Sequence, residues 1–150
     1  MKTLFDTIHH HAVCTPNLEA IITDSTIVTY KELDDVVDQL YQELLTLNSQ
    51  KLAIWGMNSI DWIYIDLAAK KAQITVIPIP LFFSPNQILH LIQDSAVDTI
   101  FIGSNKIEEL EVEMMEFDWL ETLYAQKRIH HDLQAKNASG RFVSLKVEPS

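Results

Sequence analysis

The chain has 150 residues, of which 47% are hydrophobic and 21% charged, and this suits one α/β domain or a large part of a bigger protein. Its formal charge of −10 repels phosphate backbones and excludes nucleic acid as an expected partner. A single cysteine, Cys14, rules out an internal disulfide and fits a reducing compartment.

No targeting or membrane-spanning segment is apparent in the sequence. Residues 1–6 lack the apolar core of a signal peptide. The longest apolar run, residues 74–83, is too short to span a bilayer and contains Pro78 and Pro80. We therefore expect a soluble cytoplasmic protein with no transmembrane segment.

The first predicted elements are a helix and a small β-hairpin. Thr3 and Asp6 have the spacing of a capping box at the start of a helix, and that helix must end before Pro16. Residues 19–23 and 26–29 have the composition of two short strands joined by a turn.

The hexapeptide Val28-Thr29-Tyr30-Lys31-Glu32-Leu33 joins the second strand to a long helix. Thr29 and Glu32 have capping-box spacing, in which the Thr hydroxyl accepts from a backbone N–H and the Glu carboxylate reaches back. An apolar stripe at helical spacing predicts a helix over residues 30–47, and Asn48 suits a left-handed cap.

Strands and helices then alternate along the chain. Short uninterrupted apolar runs predict buried strands at residues 52–55, 74–79 and 99–102. The helices between them begin at Asn58 or Ser59 and at Ser84-Pro85, where Gln87 completes a capping box. The predicted buried face of the first of these helices consists of Ile60, Ile63, Tyr64, Leu67, Ala68 and Ala72. This alternation implies a three-layer α/β fold, with a largely parallel sheet and helices on both faces.

The pattern weakens after Gly103. Residues 107–117 resemble an acidic helix, and residues 120–125 and 142–147 have strand-like composition on either side of a polar stretch. We expect a single α/β domain over residues 1–150, with residues 104–150 as a less regular extension.

The hexapeptide at residues 28–33 is followed by a second motif, Lys70-Lys71-Ala72-Gln73-Ile74-Thr75-Val76-Ile77-Pro78-Ile79-Pro80. Together the two motifs resemble the AMP-binding, acyl-adenylate-forming superfamily of acyl-CoA synthetases, aryl-CoA ligases and peptide-synthetase adenylation domains. The first resembles the "TYxEL" signature of that family, and the second resembles its "LKAGxxxxPID" signature. Residues 81–85 look most like the fatty acyl-CoA synthetase branch. The resemblance extends from Leu4 to Gly103, and it departs from the family pattern at Gln73, usually Gly, and at Pro80, often Asp.

The resemblance implies a two-step reaction for the complete family enzyme. ATP and a carboxylic acid give an acyl-adenylate and pyrophosphate, and the thiol of coenzyme A or a carrier protein then takes the acyl group. Such chemistry needs a glycine- and hydroxyl-rich phosphate loop, an acidic ligand for Mg²⁺ and a lysine near the adenylate. None of these motifs occurs in the chain, which has three glycines and stops about where that loop is expected to begin.

We therefore assign no catalytic, cofactor-binding or metal-binding residue to this chain, and ATP, Mg²⁺ and coenzyme A are implied for the complete enzyme alone. The first hypothesis is the N-terminal subdomain of an acid–thiol ligase, whose partner is the remainder of the enzyme or a second copy on the surface that remainder would cover. The second is a stand-alone non-catalytic interaction module. A third, a nucleotide-binding domain using the carboxyl edge of the sheet, is disfavoured because no Gly-rich turn follows a strand.

Several polar clusters have a structural interpretation that we prefer to a functional one. The histidine run with Cys14 and the His130-His131-Asp132 triplet lack a second ligand pair of defined spacing. The aspartates of the long helix and the glutamates that follow Gly103 are expected to form solvated helix faces. The residues concerned are His9, His10, His11, Cys14, Asp34, Asp35, Asp38, Glu108, Glu109, Glu111, Glu113, Glu116, His130, His131 and Asp132. Asn137-Ala138-Ser139 is a glycosylation sequon by form only, and Trp55, Trp62 and Trp119 are expected in or near the core.

Overall fold

A computed structural model describes residues 3–103 and the backbone of residues 142–146. The elements in chain order are α1 (Leu4–Cys14), β1 (Glu19–Ile22), β2 (Ile27–Thr29), α2 (Tyr30–Leu47), β3 (Lys51–Trp55), α3 (Ile60–Lys71), β4 (Thr75–Pro78), α4 (Pro85–Ser95), β5 (Thr99–Gly103) and β6 (Phe142–Lys146). The helices and strands predicted up to residue 103 are thus all present.

The main sheet has the strand order β4-β3-β5-β6, and β1 and β2 form a separate antiparallel hairpin. β3 runs parallel to both β4 and β5, so two crossover helices are needed to connect the strands. β6 is antiparallel to β5 and pairs Phe142 with Gly103. The expectation of a largely parallel sheet is confirmed.

Alternate residues of the central strand β3 face two different layers of helices. Leu52 and Ile54 pack in one hydrophobic cluster with α1, α2 and α3, whereas Ala53 and Trp55 pack in a second cluster with α4. A strand covered on both faces has no polar side, which explains its uninterrupted apolar sequence. The predicted three-layer arrangement is therefore confirmed.

Local capping interactions set the starts of the helices. Thr3 with Asp6, and Ser84 with Gln87, each form a complete capping box. Ser59 rather than Asn58 caps α3, accepting a hydrogen bond from the N–H of Trp62. These bonds satisfy backbone donors that a helix cannot pair internally.

The cap of α2 differs from the predicted reciprocal box. The Thr29 hydroxyl accepts from the Glu32 N–H at 3.2 Å, as predicted, but the structure shows no return bond from the Glu32 carboxylate. The first two N–H groups of the helix donate to the chain before the hairpin, from Tyr30 to the Leu18 carbonyl and from Lys31 to the Pro16 carbonyl. The Thr29 hydroxyl and these tertiary contacts thus satisfy three N–H groups that have no partner within the helix.

The buried face of α3 was only partly predicted. Tyr64 and Ala68 are buried as expected, but Ile63 is 39% exposed, and Ile65 takes the buried position instead. α3 carries large apolar residues around most of its circumference, so periodicity alone could not identify the inward face.

α3 ends in a Schellman motif. The Gln73 N–H donates to the Lys70 carbonyl and the Ile74 N–H donates to the Ala69 carbonyl. Gln73 adopts a left-handed conformation with φ of 59°, at the position where the resemblance leads one to expect glycine. The departure at Pro80 falls in a tight turn, in which the Phe83 N–H donates to the Pro80 carbonyl.

The sequence predictions beyond Gly103 have a mixed outcome. β6 agrees with the strand expected at residues 142–147. The helix expected at residues 107–117 and the strand expected at residues 120–125 lie outside the described residues.

Candidate functional site

The carboxyl edge of the parallel strands is the first place to look for a site, because ligands of open α/β sheets bind there. Two loops leave the sheet side by side at this edge, residues 56–59 after β3 and residues 79–84 after β4. They start at the same level, since the Ile79 N–H donates to the Ile54 carbonyl at 2.9 Å. Their last residues, Ser59 and Ser84, use their hydroxyls to cap α3 and α4.

Exposed apolar side chains are prominent in these two loops. Met57, Leu81 and Phe82, which we call the edge patch, are 67%, 50% and 84% exposed. The Phe82 ring lies edge-on to that of Phe83, with centroids 5.5 Å apart, and Phe83 packs against the cluster under α4. The patch is therefore attached to the core, and apolar exposure of this kind indicates an interaction surface.

Neither loop contains a charged residue. The sequence has no Asp, Glu, Lys, Arg or His from Leu52 to Ile60, or from Ala72 to Leu89. Phosphate groups and carboxylates are normally bound by cations or by glycine-rich backbone nests. The two loops thus present an apolar surface without charged side chains.

The lysines of residues 3–103 are engaged elsewhere. Lys31 and Lys70 form ion pairs within their own helices, with Asp35 and Asp66. Lys51 donates to the Ser95 carbonyl at the amino end of the sheet.

Lys71 links α3 to α2. Its Nζ lies 3.2 Å from Asp38 Oδ1 and 4.9 Å from the centre of the Tyr41 ring. Each of these lysine contacts tethers secondary structure, and none of them faces the edge patch loops.

The histidine run on α1 makes separate contacts that do not converge on a single point. His9 Nδ1 lies 3.0 Å from Asp34 Oδ2 on α2, and the His11 ring packs on Tyr30. His10 Nδ1 lies 3.8 Å from the exposed Cys14 Sγ. Within residues 3–103, no group of three or more His, Cys, Asp or Glu side chains is arranged to hold a metal ion.

The three aspartates of α2 also point to separate partners. Asp34 contacts His9, Asp35 pairs with Lys31, and Asp38 pairs with Lys71. Asp34 is half-buried rather than fully solvated, because α1 packs on α2 beside it.

Of the tryptophans, Trp55 is buried and Trp62 packs at the margin of the core, as expected. Trp119, His130, His131, Asp132, Asn137 and the glutamates of residues 108–116 lie outside the described residues.

Sequence reasoning missed Asp98, which organises the amino end of the sheet. Its carboxylate accepts hydrogen bonds from the Ser49 and Thr99 hydroxyls and from the N–H groups of Gln50 and Lys51. Burial raises the pKa of Asp98, but these hydrogen bonds, led by that from Ser49, outweigh burial and hold the pKa below its ordinary value of 3.8. Asp98 joins the start of β5 to the start of β3, at the edge opposite the edge patch, and we assign it a structural role.

Two buried residues with ionisable side chains lie on α3. Asp61 and Tyr64 are 5% and 8% exposed. Burial raises the pKa of Tyr64, and the carboxylates of Glu32 and Asp61 raise it further, so the phenol stays protonated at neutral pH. In the sequence, the apolar residues that flank Asp61 were the one signal that this aspartate would be buried.

In the described residues, no helix has both the length and the hydropathy needed to cross a membrane.

Comparison with known proteins gives one family. The sequence model described as "AMP-binding enzyme" matches residues 8–145. FR901469 synthetase from Dothideomycetidae sp. (strain 11243) is 30% identical over 105 residues, which are 68% of this chain and 1% of that protein.

Solved structures show the same fold at low identity. The N-terminal domain of FACL13 from Mycobacterium tuberculosis superposes with a TM-score of 0.65 at 18% identity, covering 75% of this chain and 29% of that one. A putative long-chain-fatty-acid CoA ligase from Rhodopseudomonas palustris CGA009 gives 0.65 at 18%, covering 77% and 30%. O-succinylbenzoate coenzyme A synthetase from Bacillus subtilis gives 0.58 at 20%, covering 65% and 22%. The chain thus spans less than a third of the length of these relatives.

Proposed function

The chain belongs to the AMP-binding enzyme family, and we propose that it serves as the N-terminal subdomain of an ATP-dependent carboxylic acid–thiol ligase of the fatty acyl type. The family match over residues 8–145 carries this proposal. The superposition on N-terminal regions of acyl-CoA ligases supports the same fold.

The proposed reaction takes place in two steps. The carboxylate of a fatty acid attacks the α-phosphorus of ATP, forming the acyl-adenylate and releasing pyrophosphate. A thiol, from coenzyme A or a carrier protein, then attacks the acyl carbon and releases AMP.

ATP, Mg²⁺ and the thiol substrate are, in this proposal, bound by parts of the ligase other than residues 3–103. The charge-free loops at the carboxyl edge and the engaged lysines support this division. The chain contributes the three-layer scaffold on which those parts assemble. A cytoplasmic location is consistent with the single cysteine.

The fatty acyl assignment rests on the apolar sequence Leu81-Phe82-Phe83-Ser84-Pro85. It can be tested on the polypeptide encoded by the complete reading frame, by trapping the activated acyl group with hydroxylamine. We expect hydroxamate with dodecanoate and hexadecanoate, and much less with benzoate or with amino acids. A preference for aryl or amino acids would reject the fatty acyl type, and no product with any acid would reject the ligase proposal.

The alternative is a stand-alone interaction module that uses the same fold without catalysis. The exposed, charge-free edge patch is the observation that favours it. The coding DNA distinguishes the two: a frame that continues into a Gly-rich loop ending in Pro-Lys-Gly supports the ligase, whereas a stop codon after Ser150 supports the module.

A further inference from the structure

The edge patch has the composition of the centre of a protein interface. The buried centres of such interfaces are depleted of charge and enriched in aromatic residues and Met. Met57, Leu81 and Phe82 fit this description, and the loops that carry them are uncharged in a chain of net charge −10.

The contacts of the two loops limit the kind of surface that can bind to the edge patch. The hydroxyls of Ser59 and Ser84 are used as helix caps, and no lysine contact in residues 3–103 is made at this edge. An occupant bound through carboxylates or phosphates would find no cationic side chain in these loops. The surface that fits is apolar and poor in charge.

The length of the related proteins indicates which polypeptide could supply an apolar surface that binds to the edge patch. The chain spans 29% and 30% of two ligase structures with the same fold. A polypeptide of that length therefore has more than two thirds of its residues outside this scaffold, and these residues are available to cover the patch. A second copy of the chain is a poorer candidate, because two chains of charge −10 repel each other.

We propose that the edge patch is the docking surface for an apolar, charge-poor face of the remaining ligase polypeptide, and that Phe82 is its central contact. This inference rests on the proposed function. It adds the location of the interface and the side chains that form it. Because Phe83 anchors Phe82 to the core, the patch is held in place before docking.

Thiol labelling tests the proposal. In a Cys14→Ser background, which removes the exposed native thiol, a Phe82→Cys variant is prepared both in the 150-residue chain and in the complete polypeptide. Leu45→Cys, at a 48% exposed position on α2, provides the matched control. The reaction with N-ethylmaleimide is followed by mass spectrometry, and circular dichroism verifies that each variant is folded.

We expect the Phe82→Cys thiol to react about tenfold or more slowly in the complete polypeptide than in the 150-residue chain. The Leu45→Cys thiol should react at similar rates in both. Equal reactivity of the Phe82→Cys thiol in the two contexts overturns the proposal. Protection that instead increases with the concentration of the 150-residue chain alone also overturns it and identifies a second copy as the occupant.

Adenylation is measured on the complete polypeptide with native Phe82, so that the two proposals can fail separately. An active enzyme combined with an unprotected Phe82→Cys thiol rejects the docking surface and keeps the ligase function. A protected thiol combined with an inactive enzyme keeps the interface and rejects the function.

Discussion

Gln73 holds a backbone conformation that glycine adopts more readily. Its φ of 59° is required by the Schellman motif that ends α3, and a side chain in this region costs roughly 1–2 kcal/mol. We predict that Gln73→Gly raises the free energy of unfolding by about 1 kcal/mol, as measured by urea denaturation.

The control for this substitution is Gln93→Gly, at an exposed position inside α4. Glycine in a helix interior should lower the stability by about 1 kcal/mol. If both variants are destabilised, Gln73 is not under backbone strain.

The Asp98 carboxylate accepts four hydrogen bonds at the amino end of the sheet. Asp98→Asn removes the charge that four donors share, and we predict a loss of about 1–3 kcal/mol at pH 7. Asp94→Asn, a neighbouring exposed carboxylate on α4, should change the stability by less than about 0.5 kcal/mol.

The difference between wild type and Asp98→Asn should depend on pH. Because the pKa of Asp98 is lowered by folding, its stabilisation is complete above its ordinary pKa of 3.8 and is lost as the pH falls through the lower folded value. Denaturation midpoints should therefore converge in acid. A constant difference from pH 7 to below pH 3 would show that the Asp98 charge is not responsible.

At the scale of elements, the cap of α2 is the junction between the hairpin and the first core helix. Thr29→Ala removes the acceptor for the Glu32 N–H and should cost about 1 kcal/mol in thermal or urea unfolding. Thr46→Ala, late in the same helix, should be nearly neutral because the higher helix propensity of alanine offsets the lost hydrogen bond from the Thr46 hydroxyl to the Glu43 carbonyl. An unchanged melting temperature for Thr29→Ala would argue against the cap.

Helix starts were predictable because caps are local. Thr3, Ser59 and Ser84 each bond a backbone N–H three residues away, so the signal lies within a few residues of sequence. The left-handed cap at Asn48, with φ of 52°, is equally local.

Non-local features could not be read in the same way. The inward face of α3 was mispredicted at Ile63, because tertiary packing selects among several apolar faces. Asp98 was missed because its partner Ser49 is 49 residues away. The antiparallel direction of β6 is likewise set by pairing with β5, since composition alone carries no strand direction.

For the candidate site, sequence reasoning favoured a structural interpretation of the histidine run, and the separate contacts of His9, His10 and His11 agree with it. The absence of a phosphate loop stays a prediction. The exposure of Met57 and Phe82 depends on where β3 and β4 end against their neighbours, so it became evident only in the fold.

For the whole molecule, we propose that the scaffold and the catalytic groups lie in different parts of the ligase polypeptide. The 150-residue chain has the fold of the N-terminal part of an adenylate-forming ligase, and we predict that by itself it does not exchange pyrophosphate into ATP with any carboxylic acid. The physical reason is that phosphate groups are commonly bound by cationic side chains, and neither loop at the carboxyl edge carries one. Acid-dependent exchange by the purified chain would contradict this prediction.

ATP–pyrophosphate exchange by the polypeptide encoded by the complete reading frame, assayed beside the 150-residue chain at the same concentration, tests whether this chain is part of an acid–thiol ligase. We predict exchange that depends on Mg²⁺ and on a fatty acid for the complete polypeptide, and background exchange for the chain alone. A folded complete polypeptide that shows no exchange with any acid would contradict the claim that this chain is part of an acid–thiol ligase.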